Sequence, residues 1–160
     1  MKQLRMRHRG EQDKAPLQYT DCGLDDVYLV SGYEVEEGHH GKSLSIKNID
    51  ELHRAIGRYL AGQKKVLSGK ELRFLRKQMN LTQSELGKFV GLTSQQVAQW
   101  EKEQCEIPGA ADLVVRALFL EHSGGQVNLQ QLAERIEEAD APMNDKSYFE
   151  NTGHGWRKAA

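Results

Sequence analysis

The sequence predicts a mostly α-helical protein in which a small β-rich module and a linking helix precede a five-helix domain. Two observations carry this. Ser68-Gly-Lys-Glu71, Thr82-Gln-Ser-Glu85 and Thr93-Ser-Gln-Gln96 each set a hydroxyl residue three positions ahead of Glu or Gln. That is the pattern of a capping box, and it marks three helix starts close together. Upstream, VYLV at 27–30 and SLSI at 43–46 are β-leaning runs between glycine-rich turns.

The elements follow in order. Residues 1–18 read as a flexible basic arm without the apolar centre of a secretory signal. Residues 19–62 are expected to form a module of two or three strands and a helix. Asn48 opens that helix with Glu51 three residues on, Ile49, Leu52, Ile56, Tyr59 and Leu60 recur at helical spacing, and Gly62 ends it. Within 68–122 the close starts limit the first helices to two or three turns, and a longer one runs from about Ala110 to Glu121 beyond Pro108. The helix at 128–139 carries Leu129, Leu132 and Ile136 on one face, suited to a dimer seam or equally to core. Residues 140–160 are polar and expected to be a flexible tail, in which Trp156 is out of place.

Composition narrows the function. With 38% hydrophobic and 28% charged residues in 160, the chain reads as soluble and globular, with no apolar run long enough to span a membrane. Cys22 and Cys105 have neither metal-like nor redox-like spacing, and a reduced cytoplasm is the simplest reading. The net charge of −1 conceals segregation. Residues 21–37 hold six acids and no base, whereas 54–77 hold eight bases against Glu71 alone. Solvated helix faces account for this as well as a local field does. Tyr19, Tyr28 and Tyr33 among the acids suit either packing of the small sheet or a partner protein.

Residues 81–101, LTQSELGKFVGLTSQQVAQWE, are the informative stretch. Two short helices packed steeply through a tight turn need a minimal side chain at their closest approach, which Gly87 offers. Gly91 suits the left-handed turn residue. Val97 and Trp100 anchor the second helix from within, and Leu81, Leu86, Phe89 and Val90 close the other side. Ser94, Gln95 and Gln99 are left on the outer N-terminal face, with Gln96 beside them. Glutamine presents a donor and an acceptor together, matching the N6 and N7 edge of adenine in the major groove. Gln83 is placed to hold phosphate or to brace Ser94, and Thr82, Lys88 and Lys102 are further candidates for backbone contact.

With Leu72, Leu75, Leu81-Thr82-Gln83, Glu85-Leu86, Gly91, Val97, Trp100-Glu101 and Pro108, the segment resembles the Xre/Cro-type helix-turn-helix of phage repressors and bacterial regulators. The resemblance implies phosphate contact by Gln83, base reading by Ser94, Gln95 and Gln99, and an Arg76–Glu101 pair. It also implies a homodimer on a palindromic double-stranded operator. Gly87 stands where alanine is usual, an expectedly harmless departure. Glu103-Gln-Cys-Glu106 replaces the usual glycine-basic turn, which should weaken backbone contacts there. More loosely, the order of modules is similar to MqsA-type antitoxins with the zinc ligands lost. That implies a second function, neutralising a partner toxin through residues 19–47 while autoregulating the operon.

No catalytic arrangement is apparent. The chain has no nucleophile elbow, phosphate-binding glycine loop or helical metal-ligand pair, and adjacent Asp25 and Asp26 point apart. Cys22, Glu36, His39 and His40 lack structural zinc spacing, so neither metal nor cofactor is expected. The reading is a sequence-specific regulator, a repressor or autoregulator, using the helix at 93–102.

Overall fold

The computed structural model describes residues 15–139 and 145–159. The expected basic arm over 1–14, and residues 140–144 and 160 of the expected tail, lie outside them. The described residues hold six strands, β1 Leu17–Gln18, β2 Val27–Leu29, β3 Tyr33–Gly38, β4 Gly41–Ile46, β5 Ser147–Asn151 and β6 Trp156–Lys158. Six helices lie between β4 and β5: α1 Ile49–Gln63, α2 Gly69–Gln78, α3 Gln83–Val90, α4 Ser94–Glu101, α5 Gly109–His122 and α6 Leu129–Glu138. The mostly α architecture with a small β module is thus as the sequence predicts.

The sheet is not built as expected. Its strand order is β1-β2-β5-β6, with β2 and β5 parallel and both outer pairs antiparallel. Half of the sheet therefore comes from the segment expected to be a flexible tail. Val27 and Leu29 offer an apolar face too thin to stand alone, and Phe149 beside them completes it, fully buried. Trp156 is also buried, its indole Nε1 donating to the Lys47 carbonyl at 2.6 Å. Its ring covers Gly32, where a Cβ would lie 2.7 Å from the indole. Leu17 and Gln18 pair with β2, so the expected arm does not extend to residue 18.

Tyr19 and Tyr28 pack the small sheet. Tyr19 is buried and hydrogen-bonded to His53, and Tyr28 lies against Tyr148 at 5.4 Å between ring centroids. The β3–β4 hairpin stands apart as a two-stranded sheet, with Tyr33, Leu44 and Ile46 packed on the core at its root.

Helix α1 links the module to the rest through Leu52, Ile56, Tyr59 and Leu60, all buried. Asn48 precedes it in a left-handed conformation (φ 49°) and makes no side-chain cap, contrary to the expected box with Glu51. The reversal from β4 into α1 demands that backbone, which asparagine tolerates, so its side chain is not aimed at the helix amides. Gly62 does not end the helix. The end is served by Arg116 of α5, fully buried, which donates to the carbonyls of Leu60, Lys64 and Lys65. Asp112 holds that guanidinium from one turn away, at 2.5 Å. Gly57 is where α1 crosses α5, since a Cβ there would sit 2.1 Å from Phe119.

Candidate nucleic-acid interface

Helices α2 to α5 frame the site. Ser68, Thr82 and Thr93 each accept from the amide three residues on, and Glu71, Glu85 and Gln96 complete the boxes. Gly91 ends α3 in the left-handed region (φ 73°). Leu92 N–H then donates to the Gly87 carbonyl at 2.8 Å, and Gly91 N–H to Lys88 at 3.4 Å, closing a Schellman turn. Gly87 faces this turn rather than the second helix. A Cβ on it would lie 2.5 Å from the Leu92 carbonyl oxygen, so alanine is not a harmless exchange here.

The inner face of α4 is anchored as the spacing predicts: Leu86, Val97 and Trp100 are buried. Phe89 is not part of that core. The buried arc of α3 passes through Leu86, Gly87 and Val90, and Phe89 falls outside it, 57% exposed.

Arg76 and Glu101 form a two-pronged pair, Nε to Oε2 at 2.6 Å and Nη2 to Oε1 at 2.9 Å. Both side chains are nearly buried, and the third arm of Arg76 donates to the Leu81 carbonyl at 2.8 Å. Such a fork fixes both partners in angle as well as distance. It ties α2, the approach to α3 and the end of α4 together. Gln83 joins it, its Nε2 donating to Glu101 Oε1 at 3.2 Å. Gln83 thus braces the ion pair, not Ser94.

Ser94 and Gln95 are exposed in the first turn of α4, and Gln99 is half-exposed one turn on. Gln96 is exposed too, but its carboxamide oxygen accepts from the Thr93 amide at 3.0 Å and faces the Thr93 hydroxyl at 3.2 Å. Its acceptor is committed to the helix start, as its box position requires. Thr82, Lys88 and Lys102 are exposed, at the cap of α3, along α3 and at the end of α4.

A further glycine contact shapes this end, one that no motif in the sequence marks. Gly69 lies against the end of α4, where a Cβ would stand 2.3 Å from the Trp100 carbonyl oxygen. Its amide donates to Glu103 Oε1 at 3.2 Å, and Glu103 itself takes a left-handed backbone (φ 59°). The turn after α4, which departs from the usual glycine-basic pattern, therefore closes onto α2. A glycine inside a capping box, where a helix former would normally sit, is the signal that could have found this.

Among the described residues, no group of three His, Cys, Asp or Glu side chains is arranged to hold a metal ion. No helix among them is long and apolar enough to cross a membrane.

No curated protein and no solved structure matches the chain. Nothing found supports the likeness of the front module to MqsA-type antitoxins. Residues 72–107, from the first turn of α2 to just past α4, match the family model described as helix-turn-helix, and the chain carries this element of DNA-binding transcription regulators.

Proposed function

We propose that the protein is a sequence-specific regulator that inserts α4 into the major groove and acts as a repressor or autoregulator of its own operon. The observation that carries this is the contrast between the two faces of α4. Val97, Trp100 and the Arg76–Glu101 fork hold the inner face rigidly, while Ser94 and Gln95 stay open on the outer one and Gln99 is half-exposed there, its Oε1 accepting from the Cys105 thiol at 4.0 Å. A reading helix needs this combination, because base contacts discriminate only when the side chains bearing them are held in register. Gln95 and Gln99 are four apart on one face and take neighbouring base pairs. Gln83, Lys88, Lys102 and Thr82 face the phosphates, with Gln83 oriented by Glu101. Gln96 contributes through the cap of α4.

The protein binds a palindrome as a dimer, with half-sites about 10 base pairs apart. Helix α6 supports this role for its outer face: Leu132 is buried, but Leu129 is 54% exposed. Selection of genomic DNA fragments on the purified protein, followed by sequencing, tests the proposal. Enrichment of a palindrome is expected. Flat enrichment at moderate salt would overturn it. On the selected site Gln95→Ala should cost about 1–3 kcal/mol and relax base choice at one position. An equal loss on scrambled duplex would remove Gln95 from base reading.

A further inference from the structure

The two glutamines on the outer face of α4 are not equivalent. Gln95 is exposed, and among the described residues no hydrogen bond holds its carboxamide. Gln99, one turn on, is half-exposed, and its Oε1 accepts from the Cys105 thiol at 4.0 Å.

The backbone sets this contact. After α4 the chain folds back on the last turn: Lys102 N–H donates to the Ala98 carbonyl at 3.1 Å and Gln104 N–H to the Gln99 carbonyl at 2.9 Å. Between them Glu103 takes its left-handed backbone and accepts from the Gly69 amide at 3.2 Å, which ties the turn to α2. Cys105 is thereby held beside Gln99 by the turn in which Glu103-Gln-Cys-Glu106 replaces the usual glycine-basic pattern. The thiol is exposed and in no disulfide, so neither packing nor a crosslink calls for a cysteine at this position.

The chemistry of the pair decides which end of Gln99 is left over. A thiol is a weak donor, and the carboxamide oxygen is an acceptor only. The contact therefore turns Oε1 toward the turn after α4 and leaves the Nε2 amide as the uncommitted end. A bidentate match to adenine needs the oxygen and the nitrogen of one carboxamide together. Gln95 can offer both. The free end of Gln99 offers donors, and the base that presents two acceptors in the major groove is guanine, through N7 and O6.

We infer that Cys105 is a positioning residue that sets base choice: it orients Gln99 to read guanine, while Gln95 keeps the adenine match. This rests on the reading of α4 as the helix that enters the groove. One weak hydrogen bond suffices, because it has only to choose between two orientations of an amide. Cys105 itself touches no base.

Selection from randomised duplexes, run on the full chain and on Cys105→Ala, Cys105→Ser and Gln99→Ala, tests this. Gln99→Ala identifies the operator position that Gln99 reads, as the one whose preference it abolishes. There the wild-type chain should select guanine. Cys105→Ala should raise adenine over guanine at that position by about threefold or more, the effect of losing one weak hydrogen bond. Cys105→Ser keeps a donor and should retain guanine, and the position read by Gln95 should be the same in both Cys105 variants. Adenine at the Gln99 position of the wild-type operator would overturn the inference. So would a palindrome in which Cys105→Ala leaves that position unchanged or weakens all positions alike, and in both cases the DNA reading would stand. Flat enrichment with every form would overturn the DNA reading and this inference with it.

Discussion

Arg116 illustrates how much one side chain can decide. It is fully buried in the middle of α5, and its guanidinium closes the carbonyl end of α1 while Asp112, one turn earlier in the same helix, balances its charge. Arg116→Ala should lower the unfolding free energy by about 3–5 kcal/mol, since it strands both the carboxylate and the helix carbonyls. Urea denaturation measures this, and a loss below about 1 kcal/mol would mean that water replaces the guanidinium. Tyr19 and His53 make a second such pair, 2.8 Å apart from phenol oxygen to Nε2, with Phe74 edge-on to the imidazole. Burial pushes the Tyr19 pKa up to about 12, helped by Cys22 and Asp21, and burial also lowers that of His53. At neutral pH the phenol and the imidazole are therefore both neutral and share one hydrogen bond. Because the folded pKa of His53 is depressed, its share of stability is complete above the ordinary value near 6.5 and is lost as pH falls through the folded value. Denaturation midpoints should fall with pH below about 6.5, and less steeply in His53→Gln. An unchanged slope in that variant would assign the effect to other groups.

At the scale of the element, α3 and α4 are positioned more by backbone than by side-chain volume. Gly87 and Gly69 sit where a neighbouring backbone, the turn after α3 and the end of α4, needs a bare Cα, and Gly91 sits where the turn needs a left-handed residue. The cap of α4 matters in the same way. Thr93→Ala should cost about 1 kcal/mol of stability, the usual value of a lost N-cap oxygen. Gln96→Ala loosens the same turn without removing a base contact, so it should lower stability as Thr93→Ala does and relax base choice at no single position of the operator. Relaxed choice at one position alone would return Gln96 to the reading set.

The whole molecule is closed by its last described strands. Phe149 and Trp156 are buried against the front module, and Tyr59 of the linking helix meets Phe149 edge-on at 6.0 Å. The linking helix in turn contacts α2 through Lys64 and Glu71, 3.6 Å apart and nearly buried. Ending the chain at residue 144 should therefore cost more than the ~3 kcal/mol of one buried aromatic. It should also expose β2 and α1 to fast hydrogen exchange while the α3–α4 turn stays protected. A chain so shortened that melts like the full one would show that β5 and β6 are attached but not structural.

Much of the helical half was legible because its signals are local. The three capping boxes, Gly91 and the Arg76–Glu101 pair depend on residues near one another in sequence or on a motif of fixed spacing. The sheet was not legible, since the parallel pairing of β2 with β5 joins Val27 to Ser147. Nothing near either strand encodes that partner, and a polar, glycine-containing segment with one tryptophan reads as a tail until its aromatic faces find a surface. The exposure of Phe89, the commitment of Gln83 to Glu101 and the burial of Arg116 were hidden for the same reason. Sequence by itself determined where helices begin and which face of α4 carries glutamine. Tertiary structure alone decided which carbonyls need a donor, which glycines meet a neighbour and which distant strand completes the sheet, because these depend on contacts between segments far apart along the chain.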